Sequence, residues 1–215
     1  MIRGVIFDLD GVLVTTDELH YQAWRQVADR EGIYFDRTIN HQLRGVSRME
    51  SLEIILERAG RAYTPEEKSA LANRKNHLYR ELLRTLTAAD VLPGVQALLA
   101  ELRRRGIRLA VASSSKNAPL ILSRVGLKDA FDAVADGNDI THSKPDPEVF
   151  LLAAERLGLL PEECLVVEDA AAGIEGGRRA GMAVFGIGTP ETLPKVERLA
   201  AGLADTTAEG LLGPG

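Results

Sequence analysis

Cysteine and long apolar runs are both scarce in this sequence. Cys164 is the only cysteine among 215 residues, which excludes an intrachain disulfide bond and leads us to expect a reducing, cytoplasmic location. No apolar run approaches the roughly 20 residues that a membrane-spanning helix requires. The apolar N-terminal stretch leads directly into Asp8 and Asp10, which is not typical of a signal peptide.

The sequence also lacks a block of basic residues. It contains 26 Lys and Arg residues against 31 Asp and Glu residues, for a net charge of −5. Without a concentrated positive patch, neither nucleic acid nor an anionic membrane is an expected partner. The content of 45% hydrophobic and 27% charged residues is that of an ordinary globular protein, with enough apolar residues for one substantial core and a second, smaller one.

Short apolar runs alternate with longer segments of helical periodicity over most of the chain. This alternation is typical of an α/β protein in which helices cover both faces of a parallel sheet. The predicted strands are 2–7, 107–112, 131–135, 165–167 and 183–187. The predicted helices between the later strands are 95–105, 118–125, 147–157 and 171–180, and a glycine follows each of them as a stop signal.

The segment between the first two predicted strands breaks this alternation. It contains no strand-like run but three pairs with capping-box spacing, which predict helix starts near residues 17, 48 and 65. The pairs are Thr15 with Glu18, Ser47 with Glu50, and Thr64 with Glu67. We therefore predict a catalytic core formed by residues 1–14 and 90–215 and an all-helical cap domain formed by residues 15–89. Because two connections join the cap to the core, they form a natural hinge.

A pair of carboxylates follows the first predicted strand. Asp8 and Asp10 are separated by one residue, and Gly11 allows a tight turn after them. Catalytic groups of open α/β sheets collect at the carboxyl ends of strands, so both side chains are expected in one pocket. Asp8 could attack phosphorus and carry a covalent phosphoryl group, while Asp10 gives a proton to the leaving oxygen and takes one from the incoming hydroxyl.

Two carboxylates that face a phosphate require a compensating cation. Glu168 and Asp169 follow another apolar strand, and such oxygen ligands suit Mg²⁺. Lys144 adds a positive charge for a phosphate. Any one of these aspartates could equally cap the loop after its strand, but the combination of all five residues favours a catalytic site.

A polar run follows the second large strand and precedes a helix. It consists of Ser113, Ser114, Ser115, Lys116 and Asn117. Hydroxyls and free backbone N–H groups at a helix N-terminus can bind an anion. Serines at such a junction are by themselves more typical of helix caps, and only the accompanying carboxylate pair favours phosphate binding here.

These motifs together resemble those of the haloacid dehalogenase superfamily. The resemblance implies a Rossmann-like sheet with strand order 5-4-1-2-3, in which Asp8 is the nucleophile and Asp10 the general acid and base. It further implies that Mg²⁺ is bound by Asp8, the Asp10 backbone carbonyl and Asp169, with help from Glu168. Ser113 and Lys144 would bind the transferring phosphoryl group.

The predicted cap resembles that of the β-phosphoglucomutase family. The matching cap positions are Thr16, His20, Arg44, Gly45, Val46, Ser47, Arg48 and Lys75. The resemblance implies conversion of β-glucose 1-phosphate to glucose 6-phosphate through β-glucose 1,6-bisphosphate, by a monomeric enzyme. Arg48 would hold the distal phosphate together with residues 115–117, since a guanidinium engages phosphate bidentately.

Some cap positions are weaker indicators than others. His20 and Lys75 alone would be typical of a helix surface, and only the resemblance makes them groups that couple cap closure to Asp10. Trp24 is expected in the cap core. Thr15 replaces an aspartate that is common in the family, and Arg44 replaces a lysine; since Arg and Lys differ in geometry, the second change bears on the preferred sugar and not on the reaction class.

Two other functions are compatible with the same scaffold. A sugar-phosphate phosphatase would use the same Asp8 nucleophile with water as acceptor, but it needs no second phosphate site. A non-catalytic sugar-phosphate-binding protein would have no need of the carboxylate pair. A dehalogenase would require neither Asp10 nor an acidic metal site, so we exclude it.

Overall fold

The structure is a computed structural model that describes residues 1–193 and 195–213; residues 194, 214 and 215 of the predicted core domain lie outside the described residues. The strands are β1 (Gly4–Phe7), β2 (Arg108–Ala112), β3 (Ala133–Ala135), β4 (Cys164–Glu168), β5 (Ala183–Ile187) and β6 (Leu199–Ala200). The helices are α1 (Asp17–Glu31), α2 (Arg37–His41), α3 (Arg48–Leu56), α4 (Pro65–Leu82), α5 (Val95–Arg104), α6 (Ala118–Arg124), α7 (Glu148–Leu157), α8 (Ala171–Arg179) and α9 (Ala208–Leu212). Single 3₁₀ turns lie at Leu83–Thr85, Ala88–Asp90, Pro161–Glu163 and Leu203–Asp205.

One parallel sheet forms the centre of the molecule. Its strand order is β3-β2-β1-β4-β5-β6, so the order predicted for the first five strands is confirmed and β1 is central. The predicted strand bounds differ from the observed ones by no more than two residues. Strand β6 was not predicted, because two residues at a sheet edge leave no periodic signal.

Side chains of β1 are buried on both faces of the sheet. Val5 and Phe7 belong to a hydrophobic cluster on one face, whereas Ile6 belongs to a second cluster on the other face. This alternation follows from the period of two along a strand. Helices cover both faces, which explains why β1 is apolar at every position up to Asp8.

Helices α1–α4 occupy the segment that the sequence assigns to a cap. They enclose a third hydrophobic cluster in which Trp24, Phe35 and Leu52 are almost fully buried, so Trp24 lies in the core of this segment as predicted. Capping boxes at Ser47 and Thr64 start α3 and α4, as predicted. The separate cluster supports the cap-and-core division, whose bounds we retain as a proposal.

One predicted helix cap was wrong. Thr15 does not cap α1; the N-cap is Thr16, and its side chain makes no capping hydrogen bond. The Thr16 hydroxyl is instead donated to Asp10. Helix α2 was not predicted; it is only five residues long and is capped by Asp36.

The two connections between the sheet and α1–α4 run side by side. Val14 on the way out pairs with Val91 on the way back, and Leu92 donates its backbone N–H to Leu13 O at 2.9 Å. This pairing holds the two connections together at the position predicted to be a hinge. No helix among the described residues has the length and apolar character needed to cross a membrane.

Candidate active site

The carboxyl ends of the three central strands bring the predicted catalytic residues together. Phe7 of β1 is in register with Val111 of β2 and Val167 of β4, so the residues that follow each strand meet at one edge of the sheet. Asp8 follows β1 there, and Ser113 follows β2. The motifs that follow these three strands therefore converge because of strand register, and Lys144 joins them from the loop before α7.

Lys144 is the buried cation of this edge. Its side chain is 1% exposed, and Nζ donates to Asp8 Oδ1 at 2.5 Å, to Glu168 Oε1 at 2.6 Å and to the Ala112 carbonyl at 3.1 Å. Burial alone would lower the pKa of Lys144, but the Asp8 and Glu168 carboxylates outweigh burial and raise it. Lys144 therefore remains charged and holds Asp8 in one orientation.

Three carboxylates form a candidate metal site. Asp8, Glu168 and Asp169 each present an oxygen within 4.8 Å of the others. Burial, followed by the charges of Glu168 and Asp8, raises the pKa of Asp169 to about 8. A β-carbon at Gly11, whose φ is +85°, would lie 2.1 Å from Asp169 Oδ2. Three carboxylates thus lie close together without enough positive charge beside them to balance their own. Such an arrangement suits a divalent cation such as Mg²⁺.

Asp10 has the properties of a group that both gives and takes a proton near neutral pH. Burial raises its pKa to about 7; the Thr16 hydrogen bond opposes this, and the Asp8 charge adds to it. The Thr16 hydroxyl donates to Asp10 Oδ1 and accepts from the Tyr79 hydroxyl at 3.1 Å. Asp10 is therefore held by a residue at the start of the cap segment.

The polar run after β2 folds into a set of local hydrogen bonds. Ser113 Oγ accepts from the Ser115 backbone N–H at 3.1 Å, and Ser115 Oγ accepts from the Asn117 backbone N–H at 3.2 Å. Two side chains reach α1–α4: Ser114 donates to the Gly45 carbonyl at 3.3 Å, and Asn117 donates to Asn76 at 3.0 Å. The run therefore joins the two halves of the molecule, namely the part that contains the sheet and the part formed by residues of the α1–α4 segment.

Arg48 differs from Lys144 and Arg44, the cations near the site that are paired with carboxylates. Among the described residues it makes no side-chain hydrogen bond or ion pair, although its side chain is partly buried and lines the cavity. Burial lowers its pKa, yet a guanidinium stays charged at any physiological pH. It is therefore available to an anionic ligand.

His20 and Lys75 contact each other in the cap segment. Lys75 Nζ lies 2.8 Å from His20 Nδ1 and 5.2 Å from the centre of the Trp24 ring. Burial lowers the pKa of both groups, and the charges of nearby cations lower each of them further. Lys75 is thus buried and His20 is partly buried, so neither is a solvated residue of a helix surface.

Arg44 bridges the two halves of the molecule. Its guanidinium lies 3.4 Å from Asp17 in α1 and 3.8 Å from Asp169 Oδ2 at the sheet edge. The neighbouring Ser47 uses its hydroxyl to accept from the Glu50 backbone N–H at 3.3 Å. Glu50 in turn accepts from Ser143 of the core at 2.5 Å.

A cavity of about 860 Å³ lies between the sheet edge and α1–α4. Most of the predicted site residues line it, namely Asp8, Asp10, His20, Arg44, Gly45, Val46, Ser47, Arg48, Lys75, Ser113, Ser114, Ser115, Lys116, Asn117, Lys144 and Asp169. Thr16 and Glu168 are buried and lie outside the lining.

Several polar residues of the same cavity were not predicted from the sequence. They include Asp17, Asn40, Glu50, Ser51, Tyr79 and Ser143. Glu50 was predicted only as a capping-box residue. Tyr79 lies within a helix whose hydrophobic periodicity does not distinguish it from other helical residues. No local pattern singles these residues out, because their place at the site depends on how the helices pack.

Comparison with known proteins places the chain in a family. The haloacid dehalogenase-like hydrolase family matches residues 2–181. A β-phosphoglucomutase of Bacillus subtilis (strain 168) is 42% identical over 210 residues, covering 97% of this chain and 93% of the relative. The fructose-1-phosphate phosphatase YqaB of Escherichia coli (strain K12) is 35% identical over 179 residues, covering 83% and 93%.

Solved structures support the same assignment. The crystal structure of a β-phosphoglucomutase from Clostridium difficile superposes with a TM-score of 0.93 at 39% identity, covering 97% of this chain and 95% of that one. The strand order, the residues at the strand ends and these similarities over nearly the whole chain agree, and this chain therefore belongs to the haloacid dehalogenase-like hydrolase family.

Proposed function

We propose that this protein is a β-phosphoglucomutase, an isomerase that interconverts β-glucose 1-phosphate and glucose 6-phosphate. The observation that carries the proposal is that Arg48, which has no partner among the described residues, lines the same cavity as the Asp8–Lys144 pair. A substrate with phosphates at both ends needs two such groups. The similarity to β-phosphoglucomutases over nearly the whole chain supports the same reaction.

Asp8 is the proposed nucleophile, and it carries a phosphoryl group at the start of the cycle. The C6 hydroxyl of β-glucose 1-phosphate gives its proton to Asp10, and its oxygen attacks the phosphorus. Asp8 leaves as a carboxylate, and β-glucose 1,6-bisphosphate forms. A covalent intermediate of this kind divides one difficult transfer into two easier ones.

The second half of the cycle runs in the opposite sense. After the bisphosphate has reversed its orientation, Asp8 attacks the phosphorus at C1. The bond from phosphorus to the C1 oxygen breaks, and this oxygen takes the proton that Asp10 received earlier. Glucose 6-phosphate leaves, and Asp8 is phosphorylated again. A pKa of about 7 for Asp10 suits both proton transfers.

Asp8, Asp169 and the Asp10 backbone carbonyl are the proposed Mg²⁺ ligands, with Glu168 assisting. When bound, Mg²⁺ would neutralise charge on the transferring phosphoryl oxygens. Lys144 and Ser113 are the proposed protein contacts to the same oxygens. Lys144 is well placed because its Nζ already donates to Asp8 Oδ1 and so holds the nucleophile in position.

The distal phosphate is assigned to Arg48, Ser115, Lys116 and Asn117, and the sugar to the cap residues around Gly45 and Val46. Contacts between the two halves, including those of Ser114 with Gly45 and Asn117 with Asn76, support a cap that closes over the substrate. Closure would exclude water and favour a sugar hydroxyl as the acceptor. The expectations of a cytoplasmic monomer whose only partners are sugar phosphates are part of the same proposal.

The test is to supply the protein with β-glucose 1-phosphate, Mg²⁺ and a catalytic amount of β-glucose 1,6-bisphosphate. We expect glucose 6-phosphate without stoichiometric release of inorganic phosphate. Release of mainly inorganic phosphate would instead identify a sugar-phosphate phosphatase, as some relatives of similar length are.

The covalent step has its own test in Asp8→Asn. This substitution keeps the shape of the side chain but removes the nucleophilic carboxylate, so we expect loss of isomerisation and of phosphate release alike. Incubation with acetyl phosphate followed by intact-mass measurement should show a phosphorylated wild-type chain and an unmodified variant. Substantial turnover by the variant would contradict the covalent mechanism.

A further inference from the structure

Tyr79 lies in α4 of the proposed cap, yet its hydroxyl is directed at the catalytic machinery. The residue is 1% exposed, and its hydroxyl donates to Thr16 Oγ1 at 3.1 Å. Thr16 in turn donates to Asp10 Oδ1. These two hydrogen bonds form a chain that begins in a cap helix and ends on the proposed acid and base.

The direction of this chain follows from the number of protons available. Thr16 has a single hydroxyl proton, and the Tyr79 hydroxyl has no other hydrogen-bond partner among the described residues. When Tyr79 donates to Thr16, the Thr16 proton is left to point at Asp10 Oδ1. That oxygen is thereby kept as an acceptor.

The second oxygen of Asp10 is in a different situation. Oδ2 makes no hydrogen bond with any residue that the structure describes, and Asp10 lines the cavity. The two oxygens of one carboxylate thus have separate environments: one is bound to Thr16, and the other is available to a ligand.

The Tyr79 ring is itself held in place by cavity residues. The His20 ring lies 4.1 Å from it, centre to centre, and Lys75 Nζ lies 4.3 Å from its centre. A ring packed in this way leaves its hydroxyl little freedom. The position of Thr16, and through it that of Asp10, therefore depends on the docking of α4.

We propose that Tyr79 is a positioning residue for phosphoryl transfer. Its hydroxyl orients Thr16 so that Asp10 Oδ1 accepts a hydrogen bond while Oδ2 exchanges the proton with the reacting sugar oxygen. Oδ2 takes the proton of the attacking hydroxyl as the new phosphorus–oxygen bond forms, and it returns that proton when the other sugar oxygen leaves phosphorus. This inference rests on the proposed mutase activity.

Tyr79→Phe tests the proposal because it removes only the hydroxyl. The kcat of sugar isomerisation should fall by about threefold to tenfold, the loss of roughly one hydrogen bond, with an unchanged KM. The rate at which acetyl phosphate phosphorylates Asp8 should remain that of the wild type, since acetate leaves without needing a proton. Asp10→Asn should show the same selectivity with a larger loss.

Two further variants separate positioning from a general structural effect. Tyr63→Phe removes a phenol hydrogen bond to Glu31 elsewhere in the cap segment and should leave both reactions unchanged. Thr16→Val removes the link between Tyr79 and Asp10, so adding Tyr79→Phe to it should cause no further loss.

Several results would overturn the inference while the proposed function stands. They are wild-type isomerisation by Tyr79→Phe, equal losses in both of its reactions, or additive losses in the double variant. If the wild-type protein itself failed to isomerise the sugar phosphate, the proposed function would fail first, and the two failures are thereby distinguished.

Discussion

At the scale of single residues, the cavity contains two kinds of cation. Lys144 is buried and fully paired with carboxylates, so its charge serves to hold the nucleophile. Arg48 has no ion-pair partner among the described residues and faces the cavity. A cation that has lost part of its hydration without gaining a partner is available to bind an anion. Its removal should weaken the binding of each ligand in proportion to the contacts that the ligand makes with it.

Arg48→Ala should therefore weaken isomerisation much more than phosphorylation of Asp8 by acetyl phosphate. Loss of charged hydrogen bonds worth about 1.5–3 kcal/mol corresponds to a roughly 10- to 150-fold lower kcat/KM for the sugar phosphate. The kcat/KM of Arg48→Lys for the sugar phosphate should lie between those of the wild type and Arg48→Ala, because lysine keeps the charge but not the bidentate geometry. Arg58→Ala, at an exposed arginine near the end of the same helix, is the matched control. Equal losses in both reactions would exclude a role in binding the distal phosphate.

At the scale of secondary-structure elements, identical capping-box spacing led to different outcomes. Thr64 accepts from the Glu67 backbone N–H at 3.3 Å and starts α4, whereas Thr15 makes no such bond, and α1 begins after Thr16. In α1 the N-cap residue Thr16 instead donates its hydroxyl to Asp10, at the position predicted to be a hinge. A local motif is thus overridden where tertiary contacts use the same residues.

Thr64→Ala should lower the free energy of unfolding by about 1 kcal/mol, the usual contribution of a side-chain N-cap. Thr15→Ala should change it by much less, since no capping bond is lost. Urea denaturation followed by circular dichroism measures both values. A loss at Thr15 as large as that at Thr64 would show that the former caps its helix in solution.

At the scale of the whole molecule, charge accumulates where the two halves meet. Asp8, Glu168 and Asp169 come from two strands of the core, and Arg44 of the cap segment lies 3.8 Å from Asp169. The acidic cluster therefore lies at the boundary between the two halves. Occupation of this site by a cation should stabilise the folded chain as a whole.

Addition of Mg²⁺ at about 100 times its dissociation constant should stabilise the wild-type fold by about 2.7 kcal/mol, which raises the Tm by roughly 5–10 °C. Asp169→Asn should show little of this increase, because one proposed ligand charge is lost. Asp29→Asn, on the exposed surface of α1, should respond like the wild type. The Tm is measured by differential scanning fluorimetry with and without Mg²⁺. An undiminished shift in Asp169→Asn would remove that residue from the metal site.

Much of the molecule was predictable because its signals are local. Residues 5–7, directly before Asp8, are all apolar, as expected of a central strand buried on both faces, and glycines at 106, 126, 158 and 181 follow the helices that they were expected to end. The parallel sheet was predictable from the alternation of strands and helices. The meeting of the catalytic motifs then followed from the rule that parallel strands end at one edge.

Other features depended on contacts between residues that are far apart in the chain. Neither α2 nor β6 has enough residues to carry a periodic signal, and the use of Thr16 as a link to Asp10 was hidden behind a misassigned cap at Thr15. Tyr79 lies 63 residues from Thr16, and no pattern in α4 marks it.

The sequence by itself determined the order of strands and helices, the residues that end each strand, and the carboxylate and lysine groups that define the chemistry. These follow from hydrophobic periodicity and from the few side chains able to transfer phosphoryl groups. Only the tertiary structure decided which cap residues reach Asp10, which cations of the described residues stay unpaired and where the cavity lies. Those features depend on the packing of α1–α4 against the sheet edge, since side chains distant in sequence become neighbours only when the helices dock.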